Sequence, residues 1–178
     1  MVALMPYLDE QFAGRVIRTA KGPLAQYLQE TVGDVLAEAR DGRVWSLELK
    51  FEEENKYGNL FLEDWSNRNL ENLESHSQRG SNPGWLCKSG SQVLVYYFLK
   101  SDELFTCSML KLKRWAFVSP SAARKGNPGR LWDFPAKPQG KYVQMNDTWA
   151  RVVPISVLKN EVGLMQTSAR QLSLALAA

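Results

Sequence analysis

The spacing of apolar and polar positions changes several times along the chain, and each change predicts an element. Phe12, Val16 and Ile17 recur at near-helical intervals between Asp9 and Ala20, with Asp9 and Glu10 at the start, and predict a first helix. Lys21-Gly22 interrupts it. Pro23, suited to a first helical turn, opens a second helical stretch whose buried stripe is Leu24, Tyr27, Leu28 and Thr31. From Gly33 the period drops to two. Asp34 to Arg40 and Arg43 to Glu53 read as strands joined at an Asp41-Gly42 turn. Leu47 and Leu49 alternate with Glu48 and Lys50, so the two charged residues share a face. Asn59 to Ser66 alternates again, with Phe61, Glu63 and Trp65 on one face and Leu60, Leu62 and Asp64 on the other. Asn67 to Pro83 is polar throughout and reads as a long loop. Gln92 to Lys100 is apolar and rich in β-branched and aromatic residues, the pattern of a central strand. Ser101-Asp102 turns it back into Glu103 to Met109 as an antiparallel neighbour. A short helix follows over Lys111 to Phe117, and then an extended Pro-, Gly- and Lys/Arg-rich loop from Ser119 to Gln139. Trp149 to Ile155 is a late strand. Ser156 is placed to cap a helix over Val157 to Val162 that Gly163 stops, and Gln171 to Ala178 forms a weakly amphipathic tail. The order of elements predicts an α+β fold, a mixed central β-sheet flanked by helices.

Register in the first hairpin decides whether Asp34 and Glu48 can act together. A two-residue loop at Asp41-Gly42 pairs Arg40 with Arg43 and Asp34 with Leu49, which sends Asp34 to the face opposite Glu48. A three-residue loop, Arg40-Asp41-Gly42 with Gly42 left-handed, pairs Ala39 with Arg43 and sets Asp34 across from Glu48. A carboxylate and an ammonium two residues apart on one strand face, joined by a carboxylate from the neighbouring strand, form a minimal site for divalent-metal phosphodiester hydrolysis. The competing reading of Glu48 and Lys50 is a charged, solvated strand face. In the active-site reading, Lys50→Ala is expected to abolish activity with the fold intact.

Composition narrows the chemistry. With 178 residues the chain can bury one core, and a single domain is expected. No apolar run is long enough to span a membrane, and Met1 to Pro6 is too short and uncharged for a secretory signal. Cys87 and Cys107 form no Cys-x-x-Cys pattern and read as reduced thiols in a cytoplasmic setting. His76 is the single histidine, which argues against the usual His/Cys zinc sites and a His-centred nuclease, so hydrolysis would lean on a metal ion. The net charge of +3 is unevenly placed: residues 1–110 hold 11 Lys/Arg against 16 Asp/Glu, and residues 111–151 hold 9 against 2. Such a split suits a protein that holds metal with one part and phosphates with another, and equally a solvated basic loop.

The run Gly33-Asp34, then Leu47-Glu48-Leu49-Lys50-Phe51-Glu52, then Tyr57-Gly58-Asn59-Leu60-Phe61-Leu62-Glu63, resembles the PD-(D/E)XK nuclease superfamily, and most of all its small phage and bacterial members. Pro83-Gly84-Trp85-Leu86 and Val93-Leu94-Val95-Tyr96-Tyr97-Phe98 fit the later part of that pattern. The resemblance covers residues 23–117, a nuclease-like core, and leaves 118–178 as a basic C-terminal extension. Tyr57 departs from the usual Thr, and the segment from Asn67 to Asn82 is longer and more polar than usual. The resemblance implies a restriction-endonuclease-like core in which Asp34, Glu48 and the backbone carbonyl of Leu49 bind Mg²⁺ or Mn²⁺. It also implies that Lys50 orients or deprotonates the attacking water, and that the activity is cleavage of DNA by an endonuclease or resolvase. If the gene is a phage gene, the setting is the host cytoplasm.

Further candidates are weaker. Glu30 is a possible third carboxylate by the resemblance, or a solvent-facing helix acid. Glu63 lines the site or caps a half-buried strand edge. Arg68, Arg79 and Asn82 in the polar loop, and Arg124, Lys125 and Arg130 in the basic one, are candidate phosphate contacts. Trp132 and Phe134 pack on the body or on another subunit, so a homo-oligomer stays open. The rival function is a catalytically inactive nucleic-acid-binding protein, or a phage accessory or inhibitor protein, on a nuclease fold.

Overall fold

A computed structural model describes residues 16–18, 32–38, 42–67, 82–117, 141–146 and 148–168. The described residues are α+β, with few helices among them and a mixed sheet. In chain order its elements are β1 (Val16–Arg18), β2 (Val35–Glu38), β3 (Val44–Glu52), β4 (Asn59–Asn67), β5 (Asn82–Pro83) and α1 (Trp85–Lys88). They continue with β6 (Val93–Phe98), β7 (Glu103–Ser108), α2 (Met109–Ala116), β8 (Lys141–Met145), β9 (Thr148–Pro154), α3 (Ile155–Glu161) and β10 (Met165–Ser168). They fall into two compact units. The first takes residues 1–57, 89–109 and 164–178, and the second takes 58–88 and 110–163.

The first unit holds a six-stranded sheet in the order β1-β2-β3-β6-β7-β10. Only β3 and β6 run parallel, and the other pairs are antiparallel. A parallel pair needs a crossover rather than a hairpin, and here the connection runs out through β4, β5 and α1 before returning at β6. β3 lies inside the sheet with both edges paired, and the burial of Ser46, Leu47, Glu48 and Leu49 in succession shows that both its faces are covered there. One face packs Leu47 and Leu49 with Val35, Ala37, Val95, Tyr97 and Leu104, and Trp45, Phe51 and Val93 border that cluster. The opposite face carries Ser46, Glu48, Lys50 and Glu52 beside the aromatic rings of Tyr96, Phe98 and Phe105, whose centroids stand 5.4 and 5.9 Å apart in sequence.

The second unit holds a four-stranded antiparallel sheet in the order β5-β4-β9-β8. β4 alternates as expected, with Leu60, Leu62 and Asp64 buried. Its register against β9 slips between Glu63 and Trp65, so Asp64 is the extra residue of a bulge. Buried Asp64 faces Arg151 of β9, with Oδ2 3.7 Å from Nε. Arg151 Nη2 also donates to the Ala116 carbonyl at the end of α2, 2.7 Å away, and its guanidinium lies 5.9 Å from the Phe117 ring centroid. A cation there complements the unpaired carbonyls and negative end of the helix.

Several elements differ from expectation. Val16, Ile17 and Arg18 form a strand, not part of a helix. Their spacing fits either period over so short a run, and pairing with Val35, Leu36 and Ala37 decides it in favour of the β-branched residues. The cap of α3 is Pro154, with no side-chain cap bond, and Ser156 lies inside the first turn. β8 and β10 were not expected. Residues 148–168 supply β9 to β4 and β10 to β7, so this part of the C-terminal segment is built into the sheets and is not an extension of them. The expected loop from Asn67 to Pro83 is shorter than read, because Asn67 ends β4 and Asn82–Pro83 form β5 paired with it. Residues 68–81, the expected helix from Pro23, the expected loop from Ser119 to Gln139, His76 and the expected tail from Gln171 lie outside the described residues.

Candidate metal centre

The site grows from the register of β2 against β3. Val35 pairs with Leu47, Leu36 with Ser46, Ala37 with Trp45 and Glu38 with Val44. These pairs have the parity of the odd-length loop, and the ladder stops at Val35, one residue short of Asp34. Gly42 has φ +80°, the left-handed conformation such a turn requires.

Asp34 occupies a bend ahead of β2. Its N–H donates to the Leu47 carbonyl (2.9 Å), and its Oδ2 accepts from the Leu49 N–H (2.8 Å). The carboxylate thus takes the place of the strand partner that β2 lacks at this level. The N–H and C=O of one strand residue point to the same side. The Leu49 carbonyl accordingly leaves β3 on the side where Asp34 sits, past the start of β2.

Glu48 is 5% exposed. A buried carboxylate is tolerated when it is paired, and its Oε1 lies 2.7 Å from Lys50 Nζ. Lys50 is half-buried, so the Glu48–Lys50 face is not the fully solvated strand face of the competing reading. Two residues further along the same face, Glu52 accepts a hydrogen bond from Tyr96 Oη. Sequence reasoning missed this pair; the alternation places Glu52 on the site face, but nothing local shows that Tyr96, 44 residues on, reaches it.

Asp34, Glu48 and the Leu49 carbonyl are hard oxygen donors of the kind that suits Mg²⁺ or Mn²⁺, so the chemistry of the donor set fits such an ion. Among the described residues no group of three or more His, Cys, Asp or Glu side chains is gathered for a metal. The donor set therefore rests on two carboxylates and a carbonyl. Glu30 lies outside the described residues. Glu63 belongs to the second unit, where it accepts a hydrogen bond from Ser66 Oγ on its own strand. Arg68, Arg79, Arg124, Lys125 and Arg130 also lie outside the described residues, and so do Trp132 and Phe134.

The basic stretch that ends at Arg151 is not uniformly available to phosphate. Arg151 is 2% exposed and engaged with Asp64 and Ala116. Lys113 Nζ donates to the Cys87 carbonyl at 2.9 Å. Lys111 and Arg114 on α2 are exposed. Both cysteines are buried and free, and no helix of the described residues is long and apolar enough to cross a membrane. Compared with known proteins, the chain matches no family model, no curated protein and no solved structure.

Proposed function

We propose that this protein is a Mg²⁺- or Mn²⁺-dependent deoxyribonuclease of the PD-(D/E)XK type, an endonuclease or resolvase, with a restriction-endonuclease-like core in its first unit. The observation that supports the reading is the β2–β3 register, whose parity is the one the site requires, together with the Asp34 carboxylate on the Leu49 N–H and Lys50 paired with Glu48. Asp34, Glu48 and the Leu49 carbonyl would hold the ion. When bound, such an ion supplies positive charge to the scissile phosphate and acidifies water. Lys50 then orients the attacking water and offsets charge on the phosphate. Exposed cations of the basic stretch hold the DNA backbone. Buried, reduced cysteines agree with a cytoplasmic setting.

The inactive-fold reading, a nucleic-acid-binding or phage accessory protein, has one observation in its favour. Both carboxylates already have partners within the chain, Leu49 N–H for Asp34 and Lys50 for Glu48. The two readings part on one experiment. Supercoiled, linear, single-stranded and branched DNA are each incubated with the protein and Mg²⁺ or Mn²⁺. Cleavage that is abolished by EDTA and by Asp34→Asn or Glu48→Gln supports the nuclease. DNA binding without cleavage by the wild type supports the inactive fold.

A further inference from the structure

Asp34 is held in place by residues outside its own strand. β2 begins only at Val35, and Asp34 bonds to β3 through its N–H to Leu47 and through its carboxylate to Leu49. A second set of contacts comes from residues 89–92, which lead into β6. The Gln92 N–H donates to the Ser46 carbonyl, and the Ser46 N–H donates to Gln92 Oε1, both at 3.0 Å, so this segment is fastened to β3. Within it Ser91, 6% exposed, donates from Oγ to the Val32 carbonyl at 3.2 Å, and its own N–H donates to Ser89 Oγ at 3.2 Å. Gly33 stands between these two groups of contacts. Its φ is +137°, and a Cβ there would collide with Ser91 Oγ and stand 2.9 Å from the Leu47 carbonyl oxygen. A residue with a side chain could adopt neither that backbone nor that approach.

We propose that Ser91 and Gly33 are positioning residues for Asp34. The Ser91 hydroxyl holds the Val32 carbonyl, and the bare Gly33 lets the chain settle against β3 closely enough for the Asp34 carboxylate to reach the Leu49 N–H. The significance of that placement rests on the reading of Asp34 as a metal ligand. The placement itself does not depend on a metal.

The test uses the whole chain, first without metal. The Leu49 amide proton, bonded to a carboxylate, is the spectroscopic marker of Asp34, and Asp34→Asn defines its position when the charged acceptor is gone. In Ser91→Ala the Leu49 signal moves toward that position, and its hydrogen exchange quickens on the order of tenfold relative to Val95 and Thr106, the effect of losing about one hydrogen bond. Gly33→Ala moves it further. In the Ser91→Ala background Gly33→Ala costs less than alone, because the hydroxyl it meets is absent. A Leu49 amide unchanged in Ser91→Ala overturns the proposal. Should Gly33→Ala fail to fold, Ser91→Ala decides alone, since it removes only a hydroxyl. Mg²⁺ is then titrated into wild type and Ser91→Ala. Weakening by about tenfold, in the range for loss of a supporting contact around a ligand, ties the clasp to metal binding. An equal affinity in both proteins overturns that tie. If the wild type binds no Mg²⁺, the metal reading of Asp34 fails, and the Leu49 signal still decides whether Ser91 and Gly33 place it.

Discussion

Lys50 serves two purposes that a single substitution cannot separate. It is the cation for a Glu48 carboxylate that is almost wholly buried, and in the proposed mechanism it acts on water and phosphate. Lys50→Ala should therefore abolish cleavage and also lower stability by roughly 1–3 kcal/mol, the cost of leaving a buried polar group without its partner. Adding Glu48→Gln should restore much of the stability but none of the activity. Urea melts beside a plasmid-nicking assay check both halves, and a stable, fully active Lys50→Ala would remove Lys50 from the mechanism. Cys107 gives a second prediction at this scale. Burial pushes its thiol up from 9.0 to about 12, because the apolar surroundings disfavour the thiolate. Its folded value lies above the unfolded one, so its contribution to stability is complete below pH 9 and is lost as pH rises toward 12. Native protein at pH 8 should resist alkylation at Cys107, and modification should follow unfolding. Rapid modification of the folded chain would contradict the burial.

At the scale of elements, the strands that bury a face were legible and the strands that do not were hidden. β3, β4, β6 and β7 show their alternation or apolar run in the sequence and appear close to the expected bounds. β10 is Met-Gln-Thr-Ser, with its first two residues exposed, and owes its existence to the ladder with β7. No local pattern records such a bond. The hairpin register was legible only as two alternatives of opposite parity, and a turn glycine at positive φ agrees with the odd one. The Glu48–Lys50 face could be read from alternation, whereas the Ser91 contact with Val32 joins residues 59 apart and could not. The same holds for Asp64 and Arg151. Arg151 reads in sequence as one more cation of a basic run, yet it closes the bulge in β4 and the end of α2. Arg151→Ala should cost about 3–5 kcal/mol, the usual result of stranding one member of a buried ion pair. Replacing Asp64 and Arg151 together by Leu and Met should cost less than that. Chemical denaturation of the three proteins measures it, and a loss under about 1 kcal/mol for Arg151→Ala would mean the pair is not closed off from water.

At the scale of the whole molecule, the uneven charge is the feature with a measurable consequence. If the exposed part of the basic stretch binds phosphate, affinity for DNA falls steeply with salt as counterions are released. Replacing Arg124, Lys125 and Arg130 together by Ala should weaken binding to unrelated sequences alike and flatten the slope of log affinity against log salt by about 2 to 3. Mg²⁺ binding should stay as it is. An unchanged slope would leave these residues as a solvated arm or a subunit contact. The interleaving of the two units along the chain has a different kind of consequence, one that concerns the order in which the protein is made. Asp34, Glu48, Lys50 and Ser91 have all been synthesised once β6 has emerged, but the outer partner of β7 arrives only with residues 165–168. During that interval a nascent chain on the ribosome carries the full set of proposed site residues beside an open strand edge. Such an edge can pair with a neighbouring chain, so β10, translated after the other described strands of this sheet, acts as the seal that ends this exposure.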